Sequence, residues 1–151
     1  MTAEEYMQIA LKDAQKACKA DEVPVGVIIV NPQTGEIITR AHNTSAHGYD
    51  TTAHAEIVAI RKACRKLKSA RLWDMDMYVT LEPCTMCAAA ISFARIKNLY
   101  IGALDEKGGA IINGVKFYDS PTCHHRPQVH FGILQEQCSE ILKSFFKSKR
   151  L

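Results

Sequence analysis

The feature that most constrains this chain is a split cluster: His54-x-Glu56, and further along Pro83-Cys84-x-x-Cys87. A fold in which these side chains act together must bring two distant segments to one point. The local sequence suggests how. A run of turn-formers, NTSAHGYDTT (43–52), precedes a helix expected from near Ala53, with Asp50, Thr51 or Thr52 available as its N-cap. His54 then falls in the first helical turn. MDMYVTL (75–81) reads as a strand, Pro83 sits where a first helical turn tolerates proline, and a second helix is expected to run to about Ala94. Cys84 and Cys87, three apart at that helix start, present both thiols on one face. The free N–H groups and positive dipole end there favour thiolate. His54 and Glu56 are two apart and would not share a face in mid-helix, but they converge on a point lying off the helix end. The expectation is two helix N-termini aimed at one metal.

A Cys-x-x-Cys alone has other readings: half of a structural zinc site, a redox pair, or part of a packed helix. The His and the Glu narrow them. One His and two Cys make three protein ligands, whereas a structural zinc site closes with four; a catalytic site keeps the fourth position for water, whose pKa falls to about 7. Two thiolates balance the charge of Zn²⁺, which suits a neutral substrate. Glu56 is then the natural proton carrier. A non-catalytic zinc or RNA-binding module would need neither Glu56 nor an open ligand position.

The rest of the chain frames this cluster. Thr2 and Glu5 have capping-box spacing, and Met7, Ala10, Leu11, Ala14 and Ala17 form an apolar stripe, so a helix is expected over about Ala3 to Ala20. VPVGVIIV (23–30) is a buried strand by its β-branched content, NPQTG (31–35) a turn, and EIITRAH (36–42) a returning strand. The second helix carries an expected apolar stripe of Ile57, Ile60, Ala63, Cys64 and Leu67. NLYIG (98–102) and VHFGI (129–133) read as further strands. Between them, 103–126 reads as a functional loop with one short helix. Leu134 to Lys149 is amphipathic, with Leu134, Cys138, Ile141, Leu142 and Phe145 as its stripe. Helices alternating with strands after an opening hairpin argue a layered α/β domain whose later strands are parallel.

With 151 residues, one domain over 1–151 is expected, able to bury about two thirds of the unfolded chain's surface without disulfides or metal. The N-terminus is acidic and interrupted by charge, unlike a signal peptide, and no apolar run approaches the ~20 residues of a membrane span. Six Cys in such a chain read as thiols or metal ligands, and the expected location is cytoplasmic. The net charge of +3 permits a nucleic-acid partner without demanding one. Cys18, Cys64 and Cys138 read as small core residues, and Trp73 as a packing residue. Cys123, His124 and His125 lack ordinary zinc spacing.

His-x-Glu followed by Pro-Cys-x-x-Cys is the recognised signature of zinc nucleobase deaminases. Together with DEVPVG (21–26), TAHAEI (52–57), YVTLEPC (78–84), ARI (94–96), DEKGGA (105–110) and FFKSKR (145–150), it makes nearly the whole chain resemble the bacterial tRNA-specific adenosine deaminases of the cytidine and deoxycytidylate deaminase superfamily. The resemblance implies a three-layer α/β/α cytidine-deaminase-like fold with a five-stranded mixed sheet, and a homodimer with active sites near the interface. The implied reaction is hydrolytic deamination of adenosine to inosine at the wobble position of a tRNA anticodon loop. It implies one Zn²⁺ per subunit on His54, Cys84 and Cys87, and Glu56 as proton shuttle to N1 of adenine and then to the departing amine. Asn43 and the backbone N–H of Ala55 would meet the base, Asp105 and Lys107 would lie along the anticodon, and Phe145, Phe146 and Arg150 would meet RNA. Asp50-Thr51-Thr52 replaces the usual Asp-Pro-Thr. His124-His125 replaces the usual Asn-His, so that His124 takes the place of an RNA-contacting Asn, and 108–123 departs from the commonest family form. The alternative on the same fold is a zinc-dependent deaminase of a free base or nucleoside: guanine, cytosine or cytidine.

Overall fold

Thr2 and Glu5 close the capping box expected of them, each donating its backbone N–H to the other's side chain at 3.2 Å. Behind that cap, in the computed structural model, helix α1 runs Ala3–Lys19, and its stripe of Met7, Ala10, Leu11, Ala14 and Ala17 is buried. The structure describes residues 1–150; Leu151, the last residue of the expected 1–151 domain, lies outside the described residues. Strand β1 (Gly26–Val30) and strand β2 (Ile37–His42) form the expected antiparallel hairpin. Helix α2 (Ala55–Leu67), β3 (Asp76–Leu81), α3 (Thr85–Ala94), β4 (Asn98–Ala103), a single 3₁₀ turn at Phe117–Asp119, β5 (Gln128–Phe131) and α4 (Gln135–Lys149) follow in order.

The five strands make one sheet in the order β2-β1-β3-β4-β5. The pairs β1–β2 and β1–β3 are antiparallel, while β3–β4 and β4–β5 are parallel, as crossovers through helices require. Every residue of β1 is buried because helices cover both faces of the sheet. The alternation of side chains sorts the core in two. Val27, Ile29, Met77, Val79, Leu99 and Ile101 pack with α2 and α3 on one face. Ile28, Val30 and Tyr78 pack with α1 and with Cys138 of α4 on the other. The result is the expected three-layer α/β/α arrangement with a five-stranded mixed sheet. Among the described residues no helix is long and apolar enough to cross a membrane.

Two features of this frame place the site. The parallel strands β3 and β4 end side by side at Leu81 and Ala103, and the chain leaves them as Glu82-Pro83-Cys84 and as the loop from Leu104. Helices α2 and α3 lie together on one face, so their N-termini can meet beyond those strand ends. A crevice at the carboxyl ends of parallel strands is where α/β sheets bind ligands.

Candidate metal centre and active site

Neither ligand-bearing helix starts quite where its sequence suggests. Helix α2 begins at Ala55 rather than near Ala53, and its N-cap is His54 itself, at φ −65°, ψ 152°. Asp50 does not cap it: its carboxylate instead accepts the backbone N–H and hydroxyl of Thr52, at 2.9 and 2.7 Å. Helix α3 begins at Thr85, so Pro83 lies outside the first turn and Cys84 is the N-cap, at φ −73°, ψ 177°. The physical consequence is the same in both places. A cap in extended conformation directs its side chain beyond the helix, and neither the His54 nor the Cys84 side chain makes a capping hydrogen bond. Both are left facing the gap between the two helix ends, with Cys87 on the inner face of the first turn of α3.

His54 Nδ1 lies 3.6 Å from each of the Cys84 and Cys87 sulfurs. All three donor atoms fall within 4.8 Å of one another. The hydrogen bond from Cys87, opposed by burial, lowers the Cys84 thiol to about 5. Its bond to Cys84 and its burial push the Cys87 thiol up. Thiols must lose their protons to hold a metal, so a divalent cation bound among these three atoms would release protons as it bound. One imidazole nitrogen and two sulfurs fit zinc, and the set of three matches the catalytic rather than the closed structural pattern.

Glu56, in the first turn of α2, is 4 % exposed. Burial pushes its carboxyl up to about 7, with the Cys84 charge adding to the rise and its own backbone N–H opposing it. A carboxyl at that value exchanges protons readily near neutral pH.

The cluster opens into a cavity of about 250 Å³. His54, Glu56 and Cys84 form its floor, Val23, Val25 and Leu81 give it apolar walls, and Asn43 and Asp105 reach it from two loops. Asn43 is held by its backbone N–H to the Val25 carbonyl at 3.2 Å, while its side-chain amide donates to Ser45 Oγ at 3.3 Å. Asp105 Oδ1 accepts the backbone N–H groups of Lys107 and Gly108 at 3.1 and 3.0 Å, an Asx turn that shapes its loop. Ala55 is fully buried at the start of α2, where backbone N–H groups have no helical partner.

The other expected contacts lie elsewhere. Lys107 and His124 are exposed and do not line the cavity. On α4, Phe145 is 9 % exposed and Phe146 44 %, with Lys149 over the Phe145 ring at 5.5 Å. Arg150 caps that helix and is exposed. Cys123 is buried against Ser92, and His125 Nε2 meets the Ile96 carbonyl at 2.7 Å, so these side chains form no second metal cluster. Trp73, expected to pack, is 58 % exposed and meets His125 edge-on.

Two buried carboxylates are given no role by the sequence, although DEVPVG (21–26) and YVTLEPC (78–84) contain them. Glu22 accepts the backbone N–H groups of Ala46 and His47 at 3.1 and 2.6 Å, and faces His47 Nδ1 at 2.9 Å. Glu82 is 2 % exposed and lines the cavity. Beyond its place in YVTLEPC (78–84), its signal is an acid directly after a buried strand.

Against this geometry, the chain matches the zinc-binding region of the cytidine and deoxycytidylate deaminases over residues 1–103. It is 53% identical over 146 residues to a tRNA-specific adenosine deaminase of Agrobacterium fabrum, covering 97% of this chain and 95% of that one. Among solved structures, a chain from a study of A-to-I editing by tRNA:A34 deaminases at the wobble position superposes with a TM-score of 0.89 at 52% identity, covering 91% of this chain and 99% of that one. A guanine deaminase from Nitrosomonas europaea, at 20% identity and a TM-score of 0.79, shares the fold over 95% of this chain and 84% of its own.

Proposed function

Since the chain belongs to the cytidine and deoxycytidylate deaminases, and among them to the tRNA-specific adenosine deaminases, we propose that it hydrolyses adenosine to inosine at the wobble position of a tRNA anticodon, releasing ammonia. The observation that carries the chemistry is the convergence of His54, Cys84 and Cys87 at two helix N-termini, where His54 and Cys84 share the floor of one base-sized cavity with Glu56. His54, Cys84 and Cys87 would hold one Zn²⁺ per chain, which when bound supplies an activated water.

The chain's own residues do the rest. Glu56, buried and titrating near neutrality, carries a proton to N1 of the adenine ring and then one to the departing amine. Val23, Val25 and Leu81 exclude bulk water from the ring faces. Asn43 is held in place to hydrogen-bond the base edge, and the backbone N–H of Ala55 lies in the adjoining helical turn. The target base must leave its stack to enter, which costs least in a single-stranded loop. Asp105 lines the cavity, and Lys107, exposed on the same loop, would meet the anticodon outside it. On α4, Phe146 offers an exposed ring for stacking and Lys143, Lys147, Lys149 and Arg150 an exposed basic edge for phosphates, while Phe145 anchors the helix beneath them. The same reading places the reaction in the cytoplasm and pairs the chain with a second copy.

The test is ammonia release from a matched panel: an anticodon stem-loop with wobble adenosine, the same loop with cytidine, and free adenosine, cytidine and guanine. Conversion of the adenosine stem-loop alone is the expected result. Turnover of a free base or nucleoside with the stem-loop untouched would keep the zinc chemistry and overturn the substrate.

A further inference from the structure

Glu82 sits between the end of β3 and the metal-bearing helix, two residues before Cys84. Its carboxylate is the most heavily hydrogen-bonded in the cavity wall. Oε1 accepts the Asp105 backbone N–H at 2.9 Å and the Asn113 side-chain amide at 2.8 Å. Oε2 accepts the backbone N–H groups of Ile111, Ile112 and Asn113 at 3.0, 2.9 and 3.0 Å. Two carboxylate oxygens offer about four lone-pair sites. Five donors saturate them, so nothing remains with which Glu82 could accept a proton or a bond from substrate. Burial alone would raise its pKa, but the bonds from Asp105 and Asn113 outweigh it and hold the group below its ordinary value.

The loop is built around this anion. The backbone of Glu82 and Pro83 ties it on either side: Glu82 N–H donates to the Ala103 carbonyl at 2.8 Å, and the Pro83 carbonyl accepts from Ala110 at 3.0 Å. A Cβ at Gly109 would stand 2.4 Å from Glu82 Cδ and 2.5 Å from the Asp105 carbonyl oxygen, so only glycine lets the loop close on the carboxylate. The same loop supplies Asp105 and Gly108 to the cavity.

We propose that Glu82 is a positioning residue for the reaction: its buried carboxylate locks the Asp105–Asn113 loop onto the helix start that carries Cys84, and so fixes the substrate-facing wall of the pocket relative to the metal ligands. The inference rests on the deaminase reading, and the two fail differently.

The test substitutes Glu82→Gln, which keeps the shape but turns one acceptor oxygen into a donor facing N–H donors. Zinc content, hydrogen exchange of the 105–113 peptide, and KM and kcat on the adenosine stem-loop are measured on the zinc-loaded protein. The expected result is one zinc per chain, faster exchange confined to 105–113, and kcat/KM lower by roughly tenfold to a hundredfold, mainly through KM. A purely structural role would lower the active fraction and leave KM at the wild-type value. That outcome, or unchanged exchange in 105–113, overturns the proposal. If Glu82→Gln fails to fold, Asn113→Ala removes one donor and leaves the acid; it is expected to move exchange and KM in the same direction by less, and no change in either overturns the proposal. A wild-type protein inactive on the stem-loop overturns the substrate reading instead, and KM is then read on whichever panel substrate turns over.

Discussion

At the scale of single residues, the site divides into groups that act on substrate and groups that hold those in place. Glu56 belongs to the first. Its replacement by Gln keeps the volume and removes the titrating group, so zinc binding persists while kcat falls on the order of 10² to 10⁴-fold. Metal analysis beside ammonia release checks both halves, and full activity in Glu56→Gln would remove Glu56 from the mechanism. Glu22 belongs to the second. Burial raises its pKa, but the bonds from His47 and Ala46 outweigh it and hold the carboxyl below its ordinary 4.5. Its folded value is depressed, so its contribution is fully present above 4.5 and is lost as pH falls through the folded value. The Ala46 and His47 amide resonances therefore move on acidification below 4.5, and amides that stay immobile down to acid unfolding would show that Glu22 does not hold the loop. The contrast explains what was legible. His54, Glu56, Cys84 and Cys87 announce themselves because metal chemistry demands particular side chains at particular spacings. Glu22 and Glu82 do not, because most of their partners are backbone N–H groups, which every non-proline residue carries and no sequence pattern encodes.

At the scale of elements, helices and strands were legible to within a few residues, and the departures have local causes. Asp50 is a good cap former, yet Thr52 satisfies it before the helix begins, so His54 takes the cap and gains the orientation a ligand needs. The expected stripe of α2 is displaced too. Ala55, Ala59 and Ala63 face the sheet, whereas Ile57, Ile60 and Cys64 are only half buried and Leu67 is exposed. Small residues let the helix approach closely, a preference that hydrophobicity alone does not report. The other face shows the same close packing more sharply. A Cβ at Gly26, the first residue of β1, would stand 1.9 Å from the Ala10 carbonyl oxygen and 2.6 Å from the Ala14 nitrogen of α1. Both neighbours are backbone, so no rotamer change relieves the clash. Gly26→Ala therefore destabilises the protein by about 1–3 kcal/mol or more, read from the urea midpoint at unchanged m-value. A midpoint equal to wild type would mean that α1 is free to move off the sheet.

At the scale of the whole molecule, the alternation of helices with strands made the layered mixed sheet legible, because parallel strands need helical crossovers. What one chain's sequence could not reveal is which apolar residues the fold would leave uncovered. Helices α2 and α3 lie side by side, and α3 has no charged residue from Thr85 to Ala94. A helix apolar all round is expected to be buried, yet Phe93 is 64 % exposed and Met86 36 %. A protein of +3 net charge can associate through such a patch without strong repulsion. The second copy proposed above would fit this face, since a two-fold axis sets an apolar patch against itself. The two helices that would form the contact also carry the metal ligands at their N-termini, so pairing would stiffen the ends on which His54 and Cys84 sit. Phe93→Glu places a charge in the centre of the patch and is expected to give a monomer by light scattering, with an unchanged far-ultraviolet spectrum and lower activity per zinc. A wild-type protein that is already monomeric at micromolar concentration would sink the pairing and leave the apolar faces of α2 and α3 for a different partner.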